Sequence, residues 1–68
     1  HAESERSPIP AAIDPDAING LGAEAREALR KFRPATLGQA GRLAGISPAD
    51  VGLIAIAVKR WRGAGAAG

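Results

Sequence analysis

The stretch Arg33-Pro34-Ala35-Thr36-Leu37-Gly38-Gln39-Ala40-Gly41-Arg42-Leu43-Ala44-Gly45-Ile46-Ser47-Pro48-Ala49-Asp50 decides the fold. Arg33-Pro34 ends a helix, because the proline ring pushes the residue before it out of the α region. Thr36 and Gln39 then spell T-x-x-Q, a capping box that opens a new helix. Leu37, Ala40, Leu43 and Ala44 form the expected buried face of that helix, and Gly45 closes it. Ser47-Pro48-Ala49-Asp50 opens the next one, with a hydroxyl cap, a proline at the first helical position and an acid at the positive end of the helix dipole. Two short helices meeting at a glycine turn predict a helix-turn-helix-like pair.

Working outward, residues 23–32 place Ala25, Ala28, Leu29 and Phe32 at i, i+3, i+4 and i+7, the pattern of one helix face packed on a core. Glu24, Glu27, Arg30 and Lys31 occupy the other face, with Glu27 four residues before Lys31 as helix ion pairs prefer. Before this, Asp14-Pro15-Asp16-Ala17-Ile18-Asn19-Gly20 reads as one short helical turn, capped by Asp14 and left through Gly20. Residues 1–12 are polar, contain prolines and lack periodicity, so they read as a flexible tail or linker. After Asp50 the last helix is expected to run to about Arg62, and residues 63–68 to form a second flexible tail. No strand pattern is present. The predicted fold is all-α: a helical domain over residues 13–62, built as a small bundle of three to four short helices.

Composition bounds the function. A chain of 68 residues makes one thin domain at most, and at this size folding buries only about 60% of the unfolded surface. The absence of cysteine excludes disulfide staples and thiolate metal sites, and points to a reducing compartment. The one histidine, His1, reads as fraying tail and offers no metal cluster. The longest apolar run, Val51 to Val58 around Gly52, is far shorter than the roughly 20 residues of a membrane span. No basic-then-apolar signal opens the chain, so no membrane role is expected and the location is read as cytoplasmic.

Charge is unevenly placed. Residues 1–25 hold five acids against Arg6, a balance of −4, whereas residues 26–68 hold eight Lys or Arg against Glu27 and Asp50, a balance of +6. A positive half of this kind permits a polyanionic partner. Arg42 stands out within it, because Gly38, Ala40 and Gly41 leave a small-residue face over which a nucleic-acid backbone or partner chain could come close.

Other motifs carry less. Gly63 to Gly68 spells G-x-G-x-x-G, but a dinucleotide loop needs a strand before it and a helix after it. The serines have no histidine partner, and the acids are scattered, mostly at caps or in the tail, so no catalytic constellation is assembled. Base reading by a helix-turn-helix needs polar side chains at the start of its second helix, where this chain has Ala49, Asp50, Gly52 and Leu53. The last helix is apolar around most of its circumference. Val51, Ile54, Val58 and Trp61 make one stripe, and Leu53 and Ile56 lie off it, so these two are expected to face another domain or protein. Trp61 is expected to pack over the helix end and joins the docking candidates.

With these residues in place, the chain resembles the C-terminal helical domain of the MnmG family, also called GidA. The likeness lies in Ile9-Pro10, Asp14, Ile18, Gly20-Leu21 and Glu24-Ala25-Arg26. It continues in Arg33-Pro34, Thr36-Leu37-Gly38-Gln39-Ala40, Arg42, Gly45, Pro48-Ala49 and Lys59. The segment R-P-x-T-L-G-Q-A-x-R is its most specific part, and the likeness spans about residues 9 to 60. The chain departs from the family pattern at Pro15, Gly22 and Asp50, and at Ala55 and Ala57, which thin the last apolar helix.

The resemblance implies a non-catalytic module of an FAD-dependent enzyme that modifies the wobble uridine of tRNA. It implies FAD and NADH sites in other domains, with no cofactor held here, and tRNA and the GTPase MnmE as partners of a homodimeric enzyme. Carried onto matching positions, it makes Arg33, Gln39, Arg42 and Lys59 the tRNA-contact candidates. Two other classes stand beside this: a purely protein-docking helical module, and a helix-turn-helix DNA-binding domain.

Overall fold

A computed structural model describes the backbone of residues 5–67 and the side chains of residues 5–62. His1 and Gly68, both assigned to tails above, lie outside the described residues. A 3-10 turn, Pro15–Ala17, is followed by α1 (Ala23–Phe32), α2 (Leu37–Gly41) and α3 (Pro48–Ala67), with no strand among the described residues. The fold is all-α, as the sequence predicts, and α2 and α3 are its helix-turn-helix-like last pair.

Each helix start has a local cause. Asp14 Oδ1 accepts the Asp16 N–H at 3.0 Å, with Pro15 at the head of the turn. Gly20 then leaves it at φ +82°, a backbone angle that a side chain would resist. At α2, Thr36 Oγ1 accepts the Gln39 N–H at 3.2 Å, and Gln39 Oε1 reaches back to the Ala35 N–H at 2.8 Å. The capping box is therefore closed, one residue further back than its usual partner. At α3 the box is also reciprocal: Ser47 Oγ accepts the Asp50 N–H at 3.2 Å, and Asp50 Oδ2 accepts the Ser47 N–H at 3.0 Å. Asp50 is thus a direct cap as well as a charge at the helix dipole.

The core gathers Ile18 and Leu21 from the stretch after the 3-10 turn, Ala25, Ala28 and Leu29 from α1, Leu37 and Ala40 from α2, Ile46 from the α2–α3 connection, and Ile54 and Val58 from α3. Ile54 is completely buried and lies at its centre. Gly41 faces Val51, whose Cγ2 would stand 3.4 Å from a Cβ there, so the small residue sets how closely α2 and α3 approach.

Four details differ from the sequence expectation. Phe32 is 55% exposed and not in the core. It occupies the last turn of α1, the chain reverses straight after it, and the core is closed by Leu37 of the next helix. The Lys31 ammonium lies 5.4 Å above its ring. Ala44 is exposed, because α2 ends at Gly41 and the ladder tightens to Arg42 N–H to Gln39 and Leu43 N–H to Ala40 bonds, both spanning three residues. Helix α3 continues to Ala67, past the expected end near Arg62. The alanines there have high helix propensity, and extending a formed helix needs no new nucleus.

Finally, residues 7–9, read above as part of a tail, lie against the α1–α2 junction. Ile9 N–H donates to Ala35 O at 2.8 Å, and Leu37 N–H donates to Ser7 O at 2.9 Å. An isolated bridge pairs Pro8 with Thr36. Two hydrogen bonds to a distant segment leave no periodicity in the sequence.

Candidate nucleic-acid interface

The four residues proposed for nucleic-acid contact fall in two places. Arg33 caps the C-terminus of α1 at φ 44°, ψ 62°, in the left-handed region, and its N–H donates to Leu29 O. The following Pro34 explains the departure from the right-handed helix. The Arg33 side chain is exposed, and no acid pairs with it among the described residues. Gln39 lies in α2 close to this turn, because its side-chain oxygen is held by Ala35 N–H. That oxygen is committed to the cap, leaving the amide –NH₂ as the group available to a ligand. Arg42 caps α2 and is largely exposed, with its guanidinium 3.6 Å from the Glu5 carboxylate. An ion pair this exposed contributes about 0–1 kcal/mol and yields to competing anions.

Arg33, Gln39 and Arg42 therefore line one segment, the α1–α2 junction and α2 itself. Lys59 stands on α3, and among the described residues no hydrogen bond or ion pair connects it to the other three.

The small residues beside Arg42 do not leave the open face expected from the sequence. A Cβ on Gly38 would stand 2.9 Å from the Glu5 backbone oxygen, and one on Gly41 would meet Val51. These glycines admit the chain's own segments, so they do not form an open shelf beside Arg42.

The docking candidates also separate. Ile56 is 53% exposed and Trp61 42% exposed, while Leu53 is half-buried, its Cδ1 3.5 Å from where a Cβ on Gly20 would be. Ile56 and Trp61 are five positions apart, about 140° around the helix at 100° per residue, and do not make a single patch. Ile56 instead shares its face with Lys59 and Arg60, at i+3 and i+4, both exposed.

Sequence reasoning missed a cleft. Residues 9–15 and the end of α1 enclose about 320 Å³, lined by aliphatic and proline side chains together with Arg30 and Arg33. Its one sequence signal is Ile9-Pro10 with Ile13, an apolar group inside an otherwise polar stretch.

Among the described residues no group of three or more His, Cys, Asp or Glu could hold a metal ion. Asp50 has its carboxyl held below the usual range, chiefly by the Ser47 backbone N–H and then by the Ser47 hydroxyl, which is the signature of a cap. The G-x-G-x-x-G letters fall on a backbone that is helical through Ala67, without the strand and turn a dinucleotide loop requires. No helix among the described residues is long and apolar enough to cross a membrane.

Comparison with known proteins places this geometry. The family model described as the tRNA modifying enzyme MnmG/GidA C-terminal helical bundle matches residues 1–67. The tRNA uridine 5-carboxymethylaminomethyl modification enzyme MnmG of Chloroflexus aurantiacus is 56% identical over 59 residues, covering 87% of this chain and 9% of the relative. The enzyme of the same name from Pelobacter propionicus is 49% identical over 63 residues, 93% of this chain and 10% of the relative. That of Latilactobacillus sakei is 46% identical over 58 residues, 85% of this chain and 9% of the relative. The chain thus spans about a tenth of the length of these relatives. No solved structure matches it significantly. A small helical bundle, matched along nearly its whole length by one family model and by relatives of one name, belongs to the MnmG/GidA family as its C-terminal helical domain.

Proposed function

We propose that this chain is the non-catalytic tRNA-binding and partner-docking module of an enzyme that installs the carboxymethylaminomethyl group on the wobble uridine of tRNA. The observation that carries the reading is the exposed cationic segment Arg33–Arg42. It lies in the half of the chain with net charge +6, with Arg33 unpaired among the described residues and Arg42 held only by an exposed acid. Arginine at a turn suits phosphate, since its planar fork binds two oxygens at once. The Gln39 –NH₂ between them adds a neutral donor, and Lys59 a second cationic point on α3. The flavin and NADH chemistry of such an enzyme belongs to the larger part of the protein outside this chain. The module works on the rest of a homodimeric enzyme, in the cytoplasm, beside the GTPase MnmE.

Titrating the isotope-labelled chain with an anticodon stem-loop tests this by NMR. Shifts at Arg33, Gln39 and Arg42 that exceed those from a DNA hairpin and weaken with salt are expected. Shifts absent up to millimolar RNA would overturn the RNA half.

A second reading, docking to protein alone, is favoured by one observation: Ile56 stands 53% exposed on the outer face of α3. Apolar docking is nearly insensitive to moderate salt, whereas phosphate contact is not. The DNA-binding reading draws no support from the start of α3, where Asp50 is occupied as a cap and Ala49 and Gly52 offer a base edge nothing.

A further inference from the structure

We infer that the cleft between residues 9–15 and the end of α1 receives a segment of a partner protein that presents an aliphatic side chain next to a carboxylate. The cleft encloses about 320 Å³, at the small end of the range for ligand pockets, roughly 300–1,000 Å³. Ile9, Ile13, Leu29 and Pro34 supply its apolar walls, and three of its lining residues are prolines, so the walls are stiff before anything binds. A stiff site loses little conformational entropy on binding.

Its two guanidinium groups are not equivalent. Arg30 is ion-paired with Asp16, a carboxylate that also stands 3.8 Å from Arg26, so its charge is partly met. Arg33 pairs with no acid among the described residues. Its backbone is left-handed at φ 44°, which glycine would adopt more easily, yet the position carries a long cation at the edge of an apolar cavity. An aliphatic hollow beside one uncompensated guanidinium is complementary to an aliphatic group with a neighbouring carboxylate.

RNA fits the cleft less well. The chain's two aromatic residues, Phe32 and Trp61, are not among its lining residues, so the cleft offers a base no aromatic face to stack on. A single cleft arginine without an acid partner among the described residues also gives no track for successive phosphates. Docking in the cleft is separate from docking through Ile56, but it draws on Arg33, which the RNA contact also uses. Arg33, at the cleft edge, is then shared between a partner carboxylate and RNA phosphate, and Gln39, Arg42 and Lys59 serve RNA alone.

The test is a methyl NMR titration of the chain with N-acetyl-Leu-Glu-amide, with N-acetyl-Leu-Gln-amide and with a single-stranded RNA oligomer. Saturable shifts of the Ile9, Ile13 and Leu29 methyl groups are expected from both dipeptides. The Glu form should bind about threefold tighter, the scale of an exposed ion pair. Arg33→Gly suits the left-handed turn and should fold as the parent does, with Leu37 and Ile54 methyl signals unchanged; in it the Glu preference should vanish. The inference is overturned if neither dipeptide moves these methyl groups up to about 20 mM, if the two bind the parent chain equally, or if only RNA moves them.

Discussion

At the residue scale, Gly45 shows how a single side chain would disturb the bundle. Its φ is +91°, and a Cβ there would stand 2.9 Å from Glu24 Cγ. Gly45→Ala is expected to destabilise the chain by about 1–2 kcal/mol from the left-handed backbone alone. Adding Glu24→Ala should recover only the steric part, which thermal melts of the two variants will separate. Thr36 gives a second residue-level test. Its hydroxyl accepts the Gln39 N–H at the start of α2, so Thr36→Ala should cost about 1 kcal/mol and lower Tm by roughly 4–8 °C. Features of this scale were the most legible in the sequence. Caps and left-handed exits depend on residues within four positions, so Asp14, Gly20, Thr36, Gly45 and Ser47 could each be read directly. Arg33 was half-read: Pro34 announced that the helix would end, but not that the arginine would turn left-handed.

At the element scale, α3 has two unequal faces. Ile54 is fully buried and Ile56 is 53% exposed. Ile54→Ala is expected to cost about 2–5 kcal/mol, a large part of the stability of a domain this small. Ile56→Ala should fall within about 0.5 kcal/mol of the parent. Denaturant titration will distinguish them, and equal effects would mean that α3 is rotated from the placement described here. The start of α3 carries a pH dependence. The Asp50 carboxyl titrates below its ordinary value because the Ser47 N–H and hydroxyl bond its ionised form. Its contribution is therefore present above the ordinary carboxylate range and is lost as pH falls through the depressed value. Asp50→Asn should destabilise the chain at neutral pH and flatten the acid limb of the stability profile below about pH 4. Helix starts were legible because caps mark them; ends were less so. Nothing in Gly63 to Ala67 forbids a helix, and only the preceding turns extend it. Phe32 fitted the periodicity of α1 yet fell in its last turn, where the reversal at Arg33 takes the chain away.

At the scale of the whole molecule, the domain's surfaces come from pairings between distant segments. Residues 7–9 bond to Ala35 and Leu37 and so bring Glu5 onto Gly38 and towards Arg42. They also raise one wall of the cleft beside α1. Apart from the apolar group Ile9-Pro10 and Ile13, none of this was legible in the sequence, because an extended stretch that pairs with two backbone groups looks like any polar tail. The cationic segment was readable, as a run of residue types resembling one family, and the comparison with known proteins bears that family out. Its small-residue shelf was misread, since glycine permits close approach without naming what approaches.

Arg33, Gln39 and Arg42 are proposed as one RNA-contact segment. The most direct measurement is the affinity of the chain for an anticodon stem-loop across a range of salt concentrations, repeated with Arg42→Gln. Log affinity should fall linearly with log salt, by about 0.7–0.9 per phosphate contacted, and Arg42→Gln should reduce that slope by about one contact. A slope near zero, or one left unchanged by the substitution, would contradict the account.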